Sequence, residues 1–100
     1  MKRLLLPLAL LLLALPAVGQ ADTTPACIHS RGEARARALG YDHVVTIENA
    51  CDKAATCTVS TDVAPDPITA KVDAKKTVEL TTFRGSPAST FKPKVSCKLR

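Results

Sequence analysis

Apolar residues are distributed in two ways along this chain. From Leu4 to Leu15 they run almost unbroken, interrupted only at Pro7, whereas from His43 onward they alternate with polar residues. Alternation with a period of two places successive side chains on opposite faces of a strand and predicts strands with one buried face. The clearest case is His43 to Asn49, where Val44, Val45, Thr46 and Ile47 are β-branched and suit a pleated surface. Val45 and Ile47 are expected to face inward, and Thr46 and Glu48 outward. Thr56 to Val63 repeats the pattern with Cys57, Val59 and Thr61 on one face, and Ala64-Pro65-Asp66-Pro67 ends it, because proline cannot donate to a strand ladder.

Three further segments read the same way. Ile68, Ala70 and Val72 alternate with Thr69, Lys71 and Asp73. A turn at Asp73 to Lys76 leads into Thr77 to Phe83, and Lys94 to Leu99 sets Val95, Cys97 and Leu99 against Lys94, Ser96 and Lys98. Residues 33–39, where alanine alternates with Glu33, Arg35 and Arg37, fit a strand with one charged face, although alanine and arginine also favour helix. Gly40-Tyr41-Asp42 reads as a turn or bulge, Arg84 to Ser89 as a loop, and Thr90-Phe91 as a short edge segment. Five or six short strands joined by turns, with no amphipathic helical pattern, predict an all-β fold, a small antiparallel β-sandwich.

The unbroken apolar run has another meaning. Lys2 and Arg3 precede it, Pro16 ends it, and small residues follow at Ala17 and Gly19, the order of a cleavable secretory signal peptide. Its dozen or so apolar residues fall short of the roughly 20 that span a bilayer as a helix. Residues 1–20 are therefore expected to be removed, with cleavage after Gly19 or Ala21, leaving 21–100 as a single domain in the periplasm or outside the cell.

This removal changes the composition. The formal charge of +5 falls to +3 once Lys2 and Arg3 are gone, and of the leucines only Leu39, Leu80 and Leu99 remain. A charge so mild lacks the dense basic stripe of nucleic-acid binders. With two Phe, one Tyr and no Trp, so short a domain has few large core residues and needs covalent help. Cys27, Cys51, Cys57 and Cys97 supply it, because an even cysteine count in a short exported chain reads as disulfides. The spacing does not suit zinc, whose paired ligands usually lie two to four residues apart. Three connectivities are open. Cys51–Cys57 with Cys27–Cys97 is favoured, because residues 52–56 look like a hairpin loop and the second bridge would tie the domain ends together. In the alternatives Cys97 bridges to Cys51 or Cys57.

The stretch from Val44 to Arg100 resembles a type of small exported bacterial protein in which a strand ending in Asn-x-Cys is followed by a hairpin, a Pro-rich turn and a strand-turn-strand unit. The residues that carry the likeness are Asn49, Cys51, Cys57, Pro65, Pro67, Phe83 to Pro87 and Cys97. The segment from Ile68 to Leu80 is also similar to immunoglobulin-like bacterial domains. The resemblance implies an immunoglobulin-like sandwich and no particular activity.

Candidate chemistry is sparse. His29 and His43 with a cysteine would suggest blue copper, but no histidine follows His43 and Met1 leaves with the signal. Both histidines are read as solvent-facing or strand-start residues, with no metal or other cofactor expected. Ser30, Ser86 and Ser89 lack a placed base, and Gly85-Ser86-Pro87 is not the Gly-x-Ser-x-Gly elbow of a hydrolase. Two surfaces remain. One is a binding loop at Phe83, Arg84, Gly85, Ser86 and Pro87. The other is a basic patch drawn from Arg31, Arg35, Arg37, Lys92, Lys94, Lys98 and Arg100, whose alternative role is to keep edge strands from aggregating. The expected function is a non-enzymatic binding or structural module whose partner is an envelope polymer or another exported protein. The alternatives are a small metal-binding or redox protein and a secreted inhibitor or effector.

Overall fold

A computed structural model describes residues 24–100; the predicted signal segment lies outside them. Six strands form: β1 (Ile28–Arg37), β2 (Gly40–Asn49), β3 (Ala55–Thr61), β4 (Ile68–Val72), β5 (Thr77–Ser86) and β6 (Pro93–Leu99). They make two three-stranded antiparallel sheets, ordered β1-β2-β5 and β4-β3-β6. Residues 33–37 thus belong to a strand, and the charged face there is the outer face of β1. The order reproduces strands A-B-E and C′-C-F of an immunoglobulin-type sandwich. Among the described residues no strand covers the outer side of β6.

The tight turn between β1 and β2 falls at Ala38-Leu39, and of the turn or bulge expected at 40–42 it is the irregular ladder that is found, with the β2–β5 register slipping between Tyr41 and His43. Gly40 enters β2 at φ +92°, and a Cβ there would lie 2.6 Å from the Ser86 carbonyl oxygen. Only glycine meets both conditions. Gly32 is needed for space, since a Cβ on it would come within 2.9 Å of the Phe91 ring. Phe91 is not in a strand; it packs partly buried against β1 from the loop at residues 87–92.

The core lies between the sheets. Val45 and Ile47 of β2 meet Cys57 and Val59 of β3, Val72 of β4 and Cys97 of β6, with Ile28, Cys51 and Ala55 at one end. Val78, Leu80 and Val95 only partly close it, and Ile68 and Leu99, at the same strand parity as buried Val72 and Cys97, are about two-fifths exposed. They sit on edge strands, and three-stranded sheets leave the inner side of each edge strand partly uncovered.

The disulfides are Cys27–Cys51 and Cys57–Cys97, which corrects the favoured pairing. The reason is topological. Residues 50–54 do not close a hairpin; they carry the chain from one sheet to the other, so β2 and β3 never pair. Cys57 stands directly opposite Cys97 in the β3–β6 ladder, with Cα atoms 4.0 Å apart. Cys27 lies just before β1, where its carbonyl accepts the Ala50 amide (2.9 Å), and this sets it beside Cys51. Every cysteine within a strand does fall on the inner face.

Candidate functional site

The outer faces of the two sheets differ in how their charges are used. On the first sheet, the Arg35 guanidinium reaches from β1 to Glu79 of β5, with contacts of 2.8 and 3.3 Å to its two carboxylate oxygens, and it also pairs with Glu33 at 3.2 Å. A bond between the two edge strands must pass over β2 between them, and it covers the centre of that face. This is why Val44 and Thr46 are buried although they point away from the core. Hydrogen bonding to Glu79, and then to Glu33, holds Arg35 even more firmly protonated than usual; the same contact holds the Glu79 carboxyl below its ordinary range.

Asp42 is the second anchor on this face. Its Oδ2 accepts Arg37 Nε–H at 2.9 Å and its Oδ1 accepts the Gly85 amide at 3.1 Å. These bonds, the Arg37 contact first, push the Asp42 carboxyl below its usual range. The Gly85 contact explains the FRGSP stretch. Phe83 to Ser86 is the bulged end of β5 and not a loop. Where the ladder slips, the Asp42 carboxylate and the Thr82 hydroxyl, which donates to the His43 carbonyl at 3.2 Å, fill the gaps. Ser86 is buried and its Oγ accepts the Ala88 amide. Only Phe83, Arg84, Gly85 and Pro87 of the predicted binding loop reach the surface.

The two histidines part company. His29 is exposed on β1, but His43 is neither solvent-facing nor at a strand start: it is completely buried within β2. Its ring stacks on Phe91 at 4.3 Å and lies 6.1 Å from Phe83. Since the Ala88 carbonyl can only accept, the 2.8 Å contact assigns the proton to Nε2, and buried Nδ1 has no partner among the described residues. Adjacent strand residues point oppositely, so Asp42 and His43 face different ways. Both cysteine pairs are oxidised, and among the described residues no group of three His, Cys, Asp or Glu is placed to hold a metal ion.

The second sheet is built otherwise. Its outward positions are Thr69 and Lys71 on β4, Thr56, Thr58 and Ser60 on β3, and Lys94, Ser96 and Lys98 on β6. Register makes them a grid. Thr56 sits between Lys71 and Lys98, Thr58 between Thr69 and Ser96, and Ser60 opposite Lys94. Neighbouring strands stand about 4.8 Å apart and successive rows about 6.8 Å. Arg100 adds a fourth cation, its Nη1 donating to the Thr56 hydroxyl at 3.2 Å. No strand position on this face carries a carboxylate; Asp62, Asp66 and Asp73 lie in the flanking turns. Among the described residues Lys71, Lys92, Lys94, Lys98 and Arg100 make no ion pair.

The basic residues singled out in the sequence are thus divided. Arg31, Arg35 and Arg37 belong to the first sheet, where Arg35 and Arg37 pair with Glu33, Glu79 and Asp42, while Arg31 makes no ion pair among the described residues. Lys94 and Lys98 belong to the opposite face, Lys92 precedes them, and Lys71, which sequence reasoning passed over, joins them. The signal for it was present, because the outward parity of Ile68 to Asp73 includes Lys71, but the adjacency of β4 and β6 across β3 was not. Among the described residues no helix is long and apolar enough to cross a membrane. No protein-family model, curated protein or solved structure matches this chain.

Proposed function

We propose that this is an exported, non-catalytic binding module that engages an anionic polymer of the cell envelope or extracellular space through the outer face of the β4-β3-β6 sheet. The observation that carries the reading is the contrast between the two faces: one interleaves its arginines with Glu33, Asp42 and Glu79, which pair with Arg35 and Arg37, and the other presents Lys71, Lys94, Lys98 and Arg100 among five hydroxyls with no carboxylate between them. Unpaired cations on a rigid sheet attract polyanions without folding cost, and hydroxyls at fixed spacing supply hydrogen bonds that orient them. Two disulfides support an oxidising compartment, where such bonds persist, and the signal-like N-terminal sequence supports export.

The test is calorimetric binding to polygalacturonate, with neutral dextran as the control. Wild type is expected to bind the polyanion at low salt and to lose affinity as salt shortens the screening length. Lys71→Gln with Lys98→Gln should cost about 2 kcal/mol, roughly thirtyfold, at about 1 kcal/mol per lysine against an anionic surface. Equal binding of dextran, or an unchanged affinity in the double variant, would refute the reading.

A further inference from the structure

The turn after β3 and the segment entering β6 leave a groove of about 390 Å³ between them, at the edge of the lysine and hydroxyl grid. Ser60, Thr61 and Asp62 line it from one side with Pro65, and Lys92, Pro93 and Lys94 from the other. Its frame is fixed by its own hydrogen bonds. The Asp62 amide donates to the Lys92 carbonyl (3.2 Å), Asp62 Oδ1 accepts the Lys92 amide (2.8 Å), and Thr61 Oγ1 accepts the amides of Val63 and Ala64. What remains to meet a ligand is two exposed proline rings, two lysine ammonium groups, the Ser60 hydroxyl and the second oxygen of the Asp62 carboxylate, so the two lysines outweigh the one acid and leave the groove with a single net positive charge. Ser60 and Lys94 also belong to the grid, so the groove and the sheet face are continuous.

We infer that this groove seats one acidic sugar residue of an anionic polysaccharide whose chain lies along the β4-β3-β6 face. The inference rests on the reading of that face given above and names the polymer class. The ligand must combine an apolar ring face for Pro65 and Pro93 with an acid group for Lys92 and Lys94, and a uronic acid carries both. A bare polyphosphate has no apolar surface to place between the prolines. A lipid surface would call for apolar or aromatic anchors, and the outward positions of this sheet hold only hydroxyls and lysines. A single-stranded nucleic acid would call for aromatic stacking platforms, which this face lacks.

The experiment compares a galacturonate trisaccharide with its carboxyl-reduced analogue, inorganic phosphate and phosphatidylglycerol vesicles, by calorimetry on the exported chain. The trisaccharide is expected to bind wild type and to weaken roughly fivefold for each of Lys92→Gln and Lys94→Gln. It should be indifferent to Lys71→Gln with Lys98→Gln, while Pro65→Ala weakens it without changing charge. Equal binding of the reduced analogue, equally tight binding of phosphate, preference for the vesicles, or indifference to the Lys92 and Lys94 changes overturns the inference. If polygalacturonate still binds and still depends on Lys71 and Lys98, that failure concerns the groove alone. If polygalacturonate does not bind, the reading of the face fails as well.

Discussion

Asn49 is the residue on which the end of the sandwich turns, and replacing it gives the most demanding test of the fold. Its side chain is 1% exposed. Nδ2 donates toward the carbonyls of Lys53 (2.9 Å), Val72 (3.0 Å) and Asp73 (3.2 Å), and Oδ1 accepts the Cys51 amide at 2.9 Å. One amide therefore ties the end of β2, the crossover at 50–54 and the end of β4, linking the two sheets beside the Cys27–Cys51 bridge. Two donor hydrogens and one accepted bond, at about 1 kcal/mol net each, put the cost of Asn49→Ala near 3 kcal/mol. For a domain of this size that lowers Tm by roughly 12–24 °C, measurable by circular dichroism or urea unfolding. Asn49→Asp should be worse at neutral pH, because a carboxylate would face three carbonyl oxygens. The introduced acid would have a raised folded pKa, so its penalty shrinks as pH falls toward the ordinary carboxylate range, which Asn49→Ala would not show. An Asn49→Ala protein within about 0.5 kcal/mol of wild type would refute the reasoning, since that is the size of an ordinary surface change.

Other consequences follow from the same contacts. Non-reducing peptide mapping should recover Cys27 linked to Cys51 and Cys57 linked to Cys97. Replacing Cys57 and Cys97 by alanine should cost about 4 kcal/mol in urea unfolding, from the entropy of a loop spanning 40 residues. Asp42 and Glu79 have folded pKa values below their unfolded ones, so the stability they contribute is present above about pH 4 and lost as pH falls further. An acid titration of Asp42→Asn should therefore fall off less steeply than wild type, and an equal slope would contradict the pairing. His43→Ala removes the ring on which Phe91 stacks and the bond to Ala88, and should cost about 3 kcal/mol. It should also speed amide exchange in residues 87–92, a change absent if that loop is held by other means.

What was legible in the sequence was whatever depends on period two. The strands, the inward cysteines and the face shared by Cys57, Val59 and Thr61 all follow from alternation within one segment. Contacts between segments were not legible. Residues 52–56 have hairpin composition, yet the chain changes sheet there, and the favoured disulfides were wrong for that reason. Glycine, serine and proline in FRGSP signal a loop, but the stretch is a bulge whose gap is filled by Asp42, a residue more than 40 positions away. Arginine alternating with alanine looked like a free positive face, and only the register of β1, β2 and β5 shows that Glu79 meets it. Lys71 entered the candidate site for the same reason in reverse, because its neighbours Thr56 and Lys98 come from β3 and β6.

The central claim is that one face binds polyanions and the other does not, and amide chemical-shift mapping with polygalacturonate addresses it residue by residue. Perturbations are expected along Thr56, Thr58 and Ser60, Thr69 and Lys71, and Lys94 to Lys98, with the strand amides of β1, β2 and β5 silent. Perturbations centred on Arg31, Arg35 and Arg37, or spread evenly over both sheets, would contradict it.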